Sequence, residues 1–406
     1  MNREGVPGAF SLPTVTAGLL AGFVGFASSF AVIIAGLTAV GATQAQAASG
    51  LMALSVAMGL GGILLSLRTR QPISVAWSTP GAALLATSAL PHGGFAAAVG
   101  AFLACGIAIV IAGLWKPLGR AVAAIPAPLA NAMLAGVLLG LCLAPVEAVI
   151  QFPATGLAIV VTWAVVARLR RLLAVPAAVL VTAIAIVWNA GLIPGLVPET
   201  TWNGLSAWPG GIGALLPEPV FVMPVFDAAA MIGIALPLFI VTMASQNIPG
   251  IAVLNANGYR PEPGPLFTTT GVFSLLAAPM GGHAVNLAAI TAALCAGPEA
   301  HPDPARRYGA AVVAGCAYIG FGLLAGLATA FIAAAPPVLI EAVAGLALLG
   351  AFAASLAAAL AEPRHREAAA VTFLVTASGL SFFGIAGAFW GLLAGGAVMA
   401  LGRWRA

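Results

Sequence analysis

Four short stretches of this chain carry side chains whose types and spacing could hold a small charged molecule. The first is Trp77-Ser78-Thr79-Pro80-Gly81, inside an otherwise apolar run. Ser and Thr open helices by accepting bonds from first-turn N–H groups, and proline fits there because its missing N–H would go unbonded anyway. Pro72 to Trp77 reads as extended chain, so a helix starts afresh at Ser78/Thr79. The second stretch, Pro279-Met-Gly-Gly-His283-Ala-Val-Asn286, repeats the arrangement with Asn286 as the capping residue. Two helix starts aimed at one locus, with Gly81 allowing close approach, would offer N–H groups and positive dipole ends, which suit an anion. The other reading is that Pro80 kinks one continuous helix.

The third stretch is Ser245-Gln246-Asn247, where two amides could donate to a carboxylate. Bonding between helices is the alternative, since buried amides need partners. The fourth is Ser28-Ser29, which could line the same cavity or bond the preceding turn. His283 is the histidine that falls within a span, and it is the proton-site candidate because histidine titrates near neutral pH. A neutral histidine bonded to backbone is the competing reading. Trp77 could stack on a flat substrate. Cys105, Cys142, Cys295 and Cys316 lie in apolar runs without metal-ligand spacing, so no metal or other cofactor is expected.

Such residues must be positioned by elements suited to a bilayer. Of 406 residues, 62% are hydrophobic and 6% charged, against about 25% charged in soluble proteins. Apolar runs lie near 14–39, 49–67, 72–90, 94–115, 126–146, 154–168 and 172–191. A second set lies near 226–248, 265–280, 282–297, 308–332, 337–361, 367–382 and 384–402. The first run is far longer than a signal-peptide core of roughly 7–15 residues, so Gln44 to Ala47 is not a cleavage site. With the N-terminus inside, strict alternation puts all 15 Lys and Arg residues on the cytoplasmic side, while Glu147, Glu199 and Glu218 fall outside. That partition indicates an all-α polytopic membrane protein with fourteen crossings and both termini cytoplasmic. The net charge of +4 is spread between spans and does not indicate nucleic-acid binding.

Fourteen divides into seven and seven. An odd number per half makes the repeats inverted, with the Gly/Pro/Trp-rich segment Leu192–Val225 as the seam and spans 3 and 10 discontinuous. Ala27-Ser-Ser29 in span 1 and Ala244-Ser-Gln246 in span 8 echo each other.

Three strings carry a resemblance to the benzoate/proton symporter family (BenE-type). They are Ala76-Trp-Ser-Thr-Pro-Gly-Ala-Ala-Leu84, Leu236-Pro-Leu-Phe-Ile-Val-Thr-Met-Ala-Ser-Gln-Asn247 and Ala278-Pro-Met-Gly-Gly-His-Ala-Val-Asn-Leu-Ala-Ala-Ile-Thr-Ala292. Glu299-Ala-His-Pro-Asp303 and Arg306-Arg-Tyr308 also fit. The resemblance implies uptake of benzoate with a proton across the bacterial inner membrane. It also implies an architecture similar to uracil permeases and anion exchangers. Core segments would then be 13–115 and 226–332, and gate segments 116–225 and 333–406. Uracil permeases carry carboxylates on spans 8 and 10, where this chain has Gln246 or Asn247 and His283; a carboxylate there would repel an anion.

The expected activity is elevator-like symport of benzoate or a similar aromatic carboxylate. The substrate-binding set is Ser78, Thr79, Gly81, Trp77, Gln246, Asn247, His283, Asn286, Ser28 and Ser29. The expected partners are the substrate, a proton and the lipid bilayer, and the architecture allows a homodimer. Transport of another small anion or a nucleobase, or an anion channel, are the rival readings. An enzyme is not expected, because no nucleophile elbow or phosphate loop is found.

Overall fold

The computed structural model describes residues 7–115, 117, 126–189, 216–288, 290–333, 336–382 and 385–403. The part of the expected seam from 192 to 215, and the basic residues Arg3, Lys116, Arg120 and Arg405, lie outside these.

Helices overlie the apolar runs. In chain order they begin with α1 (Leu12–Ala27), α2 (Phe30–Ala39) and α3 (Gln44–Thr69). The first expected span is therefore not one helix. Ser28 and Ser29 both turn their hydroxyls back to the Gly25 carbonyl, at 3.4 and 3.1 Å, and the helix restarts at Phe30. Competition from such back-bonding bends helices. A capping box starts α3: Gln46 N–H donates to Thr43 Oγ1, and Thr43 N–H to Gln46 Oε1. Arg70, with φ 55°, ends it in the left-handed region.

The next segment is strand β1 (Val75–Trp77) followed by helix α4 (Thr79–Ala86), then α5 (Gly94–Leu114). After α6 (Ala127–Gln151), α7 (Pro153–Leu169) and α8 (Ala174–Asn189) comes the long helix α9 (Ala228–Ala256). It is not regular: Met231–Ala235 and Met243–Asn247 are π-helical turns. Then follow α10 (Pro263–Ala277), strand β2 (Val285–Leu287) and α11 (Ile290–Ala296). The chain closes with α12 (Tyr308–Gly322), α13 (Ala325–Ala333), α14 (Pro337–Leu360) and α15 (Arg366–Ala377), the short pair β3 (Ser381–Phe382) and β4 (Ile385–Ala386), and α16 (Gly387–Arg403).

Strands β1 and β2 pair antiparallel, with Val75 opposite Leu287, Ala76 opposite Asn286 and Trp77 opposite Val285. Bonds from Ser78 N–H to the Ala284 carbonyl (2.9 Å) and Ala288 N–H to the Ser74 carbonyl (3.0 Å) extend the ladder at both ends. Each broken segment thereby satisfies backbone groups that hydrocarbon could not.

Among the described residues, six helices are long and apolar enough to cross a bilayer. Leu157, Val161 and Val165 on α7 are all exposed, one lipid-facing stripe at helical spacing. The interior packs around β1 and β2, with α3 against α12, α5 against α10, and α6 against α14. Gly36 lets α2 lie against α4: a Cβ there would overlap the Ala82 carbonyl oxygen. This is a polytopic helical membrane protein.

Candidate functional site

A cavity of about 130 Å³ lies where the α1–α2 break, β1, α4, the second π turn of α9 and the start of α11 face α14. It is smaller than the roughly 300–1,000 Å³ of pockets for drug-sized ligands. One wall carries Ser28, Ser29, Thr79, Gln246 and Thr291, beside Trp77. Ala347, Leu348 and Ala351 of α14 line it as well. Among the described residues lining it there is no Asp, Glu, Lys, Arg or His.

Each polar residue reaches this wall for a local reason. Ser78 caps α4, its Oγ accepting from Gly81 N–H (3.1 Å) and from the Thr242 hydroxyl (2.9 Å). Ala82 N–H goes to the Ser78 carbonyl at 2.8 Å, and Pro80 has no N–H. Thr79 is thus the first-turn position left to face the cavity, fewer donors than two open helix starts would give. On α9 the π turn separates two neighbours. Gln246 lines the cavity, whereas Asn247 is fully buried and its Oδ1 accepts from Leu287 N–H at 2.9 Å. Single π turns of this kind often occur at functional sites.

Of the ten expected site residues, Ser28, Ser29, Trp77, Thr79 and Gln246 border the cavity. Ser78, Gly81, Asn247, His283 and Asn286 do not. Asn286 is not a helix cap: it sits in β2, and α11 begins only at Ile290. The reason is the ladder with β1, which keeps the chain extended through Leu287. With its amide oriented to satisfy both ends, Asn286 accepts from Ser78 N–H (3.0 Å) and donates to the Leu287 carbonyl (2.8 Å). Gly81 packs against Leu238. His283 is fully buried, edge-on to Phe102, and its Nδ1 accepts from Ala284 N–H at 2.6 Å.

Sequence reasoning missed Thr291 and the α14 wall. Thr291, bonded to Ser74 at 2.7 Å, sits one turn past the second break, where a hydroxyl could have been noticed. Ala347 and Ala351 lie in an alanine-rich helix and carry no such signal.

A second cavity of about 760 Å³ is bordered by α2, the ends of α4, α6 and α13, and the starts of α3 and α14. Glu147 and Glu341 line it, with Thr38, Gln44 and Thr87. Along α14, Glu341 borders the larger cavity and Ala351 the smaller, a rise of about 15 Å.

The sequence profile of the benzoate membrane transport protein family matches residues 8–401. The chain is 41% identical over 385 residues to the inner membrane protein YdcO of Escherichia coli, covering 95% of this chain and 94% of that one. It is 30% identical over 386 residues to the benzoate membrane transport protein of Acinetobacter baylyi, again covering 95% and 94%. Among solved structures it resembles the transmembrane domain of a cyanobacterium bicarbonate transporter, BicA (TM-score 0.56, 13% identity, 96% of this chain and 97% of that one). It also resembles the murine anion transporter Slc26a9 in its inward-facing state (TM-score 0.57, 13% identity, 99% and 69%). At such identities the likeness is one of fold. The chain belongs to the benzoate membrane transport protein family and is a membrane transporter, not an enzyme.

Proposed function

We propose that this member of the benzoate membrane transport protein family imports benzoate or a similar aromatic carboxylate with a proton, across the bacterial inner membrane, by elevator-like alternating access. The observation that carries this reading is the smaller cavity, whose lining joins hydroxyls and an amide to a bare hydrocarbon stretch of α14. A carboxylate needs donors and no nearby acid, and an aromatic ring needs an apolar surface. Thr79, Gln246 and Thr291 supply the first, while the alanines of α14 contribute to the second.

Proton coupling has an energetic reason. Drawing an anion toward a negative interior costs roughly 2.3 kcal/mol per 100 mV, and one accompanying proton removes that penalty. In this reading His283 carries the proton. It borders neither cavity described above, but Ala284 links it to the site: the Ala284 N–H bonds His283 Nδ1, and its carbonyl accepts from Ser78 N–H. Ser78, Asn247, Asn286 and Gly81 then act by holding the polar wall in place.

We read the architecture as fourteen crossings in seven-plus-seven inverted repeats. The packing pattern supports this, because exchanging each span with its partner seven later maps contacts onto contacts. α3 against α12 becomes α10 against α5, and α7 against α8 becomes α15 against α16. The pairs β1–β2 and α6–α14 map onto themselves. Core segments 13–115 and 226–332 and gate segments 116–225 and 333–406 follow from the same reading. The residues lining the larger cavity all belong to the half of each span that the charge partition assigns to the outside. This conformation is therefore read as outward-open, with both termini cytoplasmic.

The test is uptake of labelled benzoate by proteoliposomes under an imposed pH gradient, with salicylate, uracil and sulfate as competitors. Accumulation above equilibrium, blocked by salicylate and not by uracil or sulfate, is expected. Equilibration without accumulation would mean a channel, and competition by uracil alone a nucleobase carrier.

A further inference from the structure

We infer that the substrate's ring is received by α14 rather than by Trp77, and that Ala347 and Ala351 set the size of the arene admitted. This rests on the transport reading above and assigns a specificity role to residues outside the ten first considered.

Trp77 has little surface to offer. Its side chain is 2% exposed, its Nε1 donates to Ser29 Oγ at 2.8 Å, and its ring lies against Phe26 with centroids 5.5 Å apart. Phe26 is in turn stacked on Phe30 and packed on Phe321. The indole is thus a fixed strut behind the polar wall, and moving it to meet a ring would break the bond to Ser29.

The α14 residues that share the cavity with Thr79 and Gln246 are different. Ala347 and Ala351 are four apart on α14, so their methyl groups stand one above the other on one face. Leu348, between them, is 3% exposed and belongs to the buried core cluster. All three line the cavity, and the two alanine methyls are the less buried part of this shallow apolar strip. A planar ring lies flat on such a strip, and any larger side chain there would take its place. Leucine at position 347 would add three carbons to a cavity of about 130 Å³. Alterations of one methylene in an apolar pocket change discrimination by roughly 10–200-fold, so the alanines act as a size filter.

The experiment measures binding by calorimetry on purified protein and uptake in proteoliposomes. It uses benzoate, 2-naphthoate and propionate as probes, on the wild type, Ala347→Gly, Ala347→Leu, Ala351→Leu and Trp77→Phe. Ala347→Leu and Ala351→Leu should weaken benzoate tenfold or more and propionate less than twofold. Ala347→Gly should improve naphthoate relative to benzoate about tenfold, and Trp77→Phe should leave the order of arene sizes unchanged. Should either leucine variant fail to run as a monodisperse species, the glycine variant alone decides. The inference is overturned if all probes shift by one common factor, or if Trp77→Phe alters size selectivity more than the alanine variants do. Benzoate binding with the expected size order but no uptake would sink the transport reading and keep the ring placement. Uptake with an unaltered size order would do the reverse, and no binding by the wild type would sink both.

Discussion

Gln246 and Asn247 are adjacent amides with different tasks: within the π-helical turn Met243–Asn247 one lines the cavity and the other bonds β2. Removing Asn247 leaves the buried Leu287 N–H unpaired, which costs about 1–3 kcal/mol. Asn247→Ala should therefore lower the melting temperature by several degrees, and Gln246→Ala should not. Gln246→Ala should instead raise the KM for benzoate about tenfold at unaltered melting temperature; equal melting shifts in the two variants would contradict this division. His283→Ala in proteoliposomes should abolish accumulation driven by a pH gradient while benzoate still binds. Continued accumulation would remove histidine from the coupling scheme. Of these residues, the amides and the histidine were legible as polar groups in an apolar run. Which of them faces the cavity was not, since one extra residue in a helical turn rotates everything after it.

The elements that hold the site are short. α4 has 8 residues and α11 has 7, too few to be stable alone, so they depend on caps and on the β1–β2 ladder. At its far end α11 is held by Arg307, 8% exposed, whose Nη1 donates to the Ala296 carbonyl at 2.8 Å and whose Nε donates to the His301 carbonyl at 2.7 Å. A cation at a helix C-terminus complements the dipole. This gives the Arg306-Arg-Tyr308 string a structural task. Bonds from a charged group are worth about 1.5–3 kcal/mol each, so Arg307→Ala should destabilise the protein strongly in a thermal-shift assay. Arg307→Lys should restore only part, because an ammonium lacks the planar fork. At the other end, Ser78→Ala removes the cap of α4, a loss of about 0.5–2 kcal/mol. The interrupted segment at Ser78–Gly81 was visible because capping residues and proline are local signals. The strand pairing that keeps Asn286 out of a helix was not, because its partner is about two hundred residues away.

For the whole molecule, two cavities lie in line along α14, and the charge partition gives that line a direction. Thr87→Cys and Gln44→Cys, at the larger cavity, should react with a membrane-impermeant thiol reagent added outside intact cells, and substrate under a gradient should reduce that labelling. Reaction only after the membrane is opened from inside would reverse the orientation. A background with Cys316 replaced is appropriate, since that thiol is exposed. By itself the sequence determined the class of protein and the place where one helix begins again, at Ser78/Thr79, and its quoted strings carried the resemblance to benzoate transport proteins. The class and the helix start follow from composition and capping chemistry, which are local to the chain, and the resemblance follows from the strings alone. Only the tertiary structure decided that Trp77 is bonded to Ser29, that Asn247 serves β2 and that two alanines of α14 line the smaller cavity. Those outcomes depend on helix rotation and on contacts between distant segments, and an alanine in an alanine-rich helix looks the same whichever way it faces.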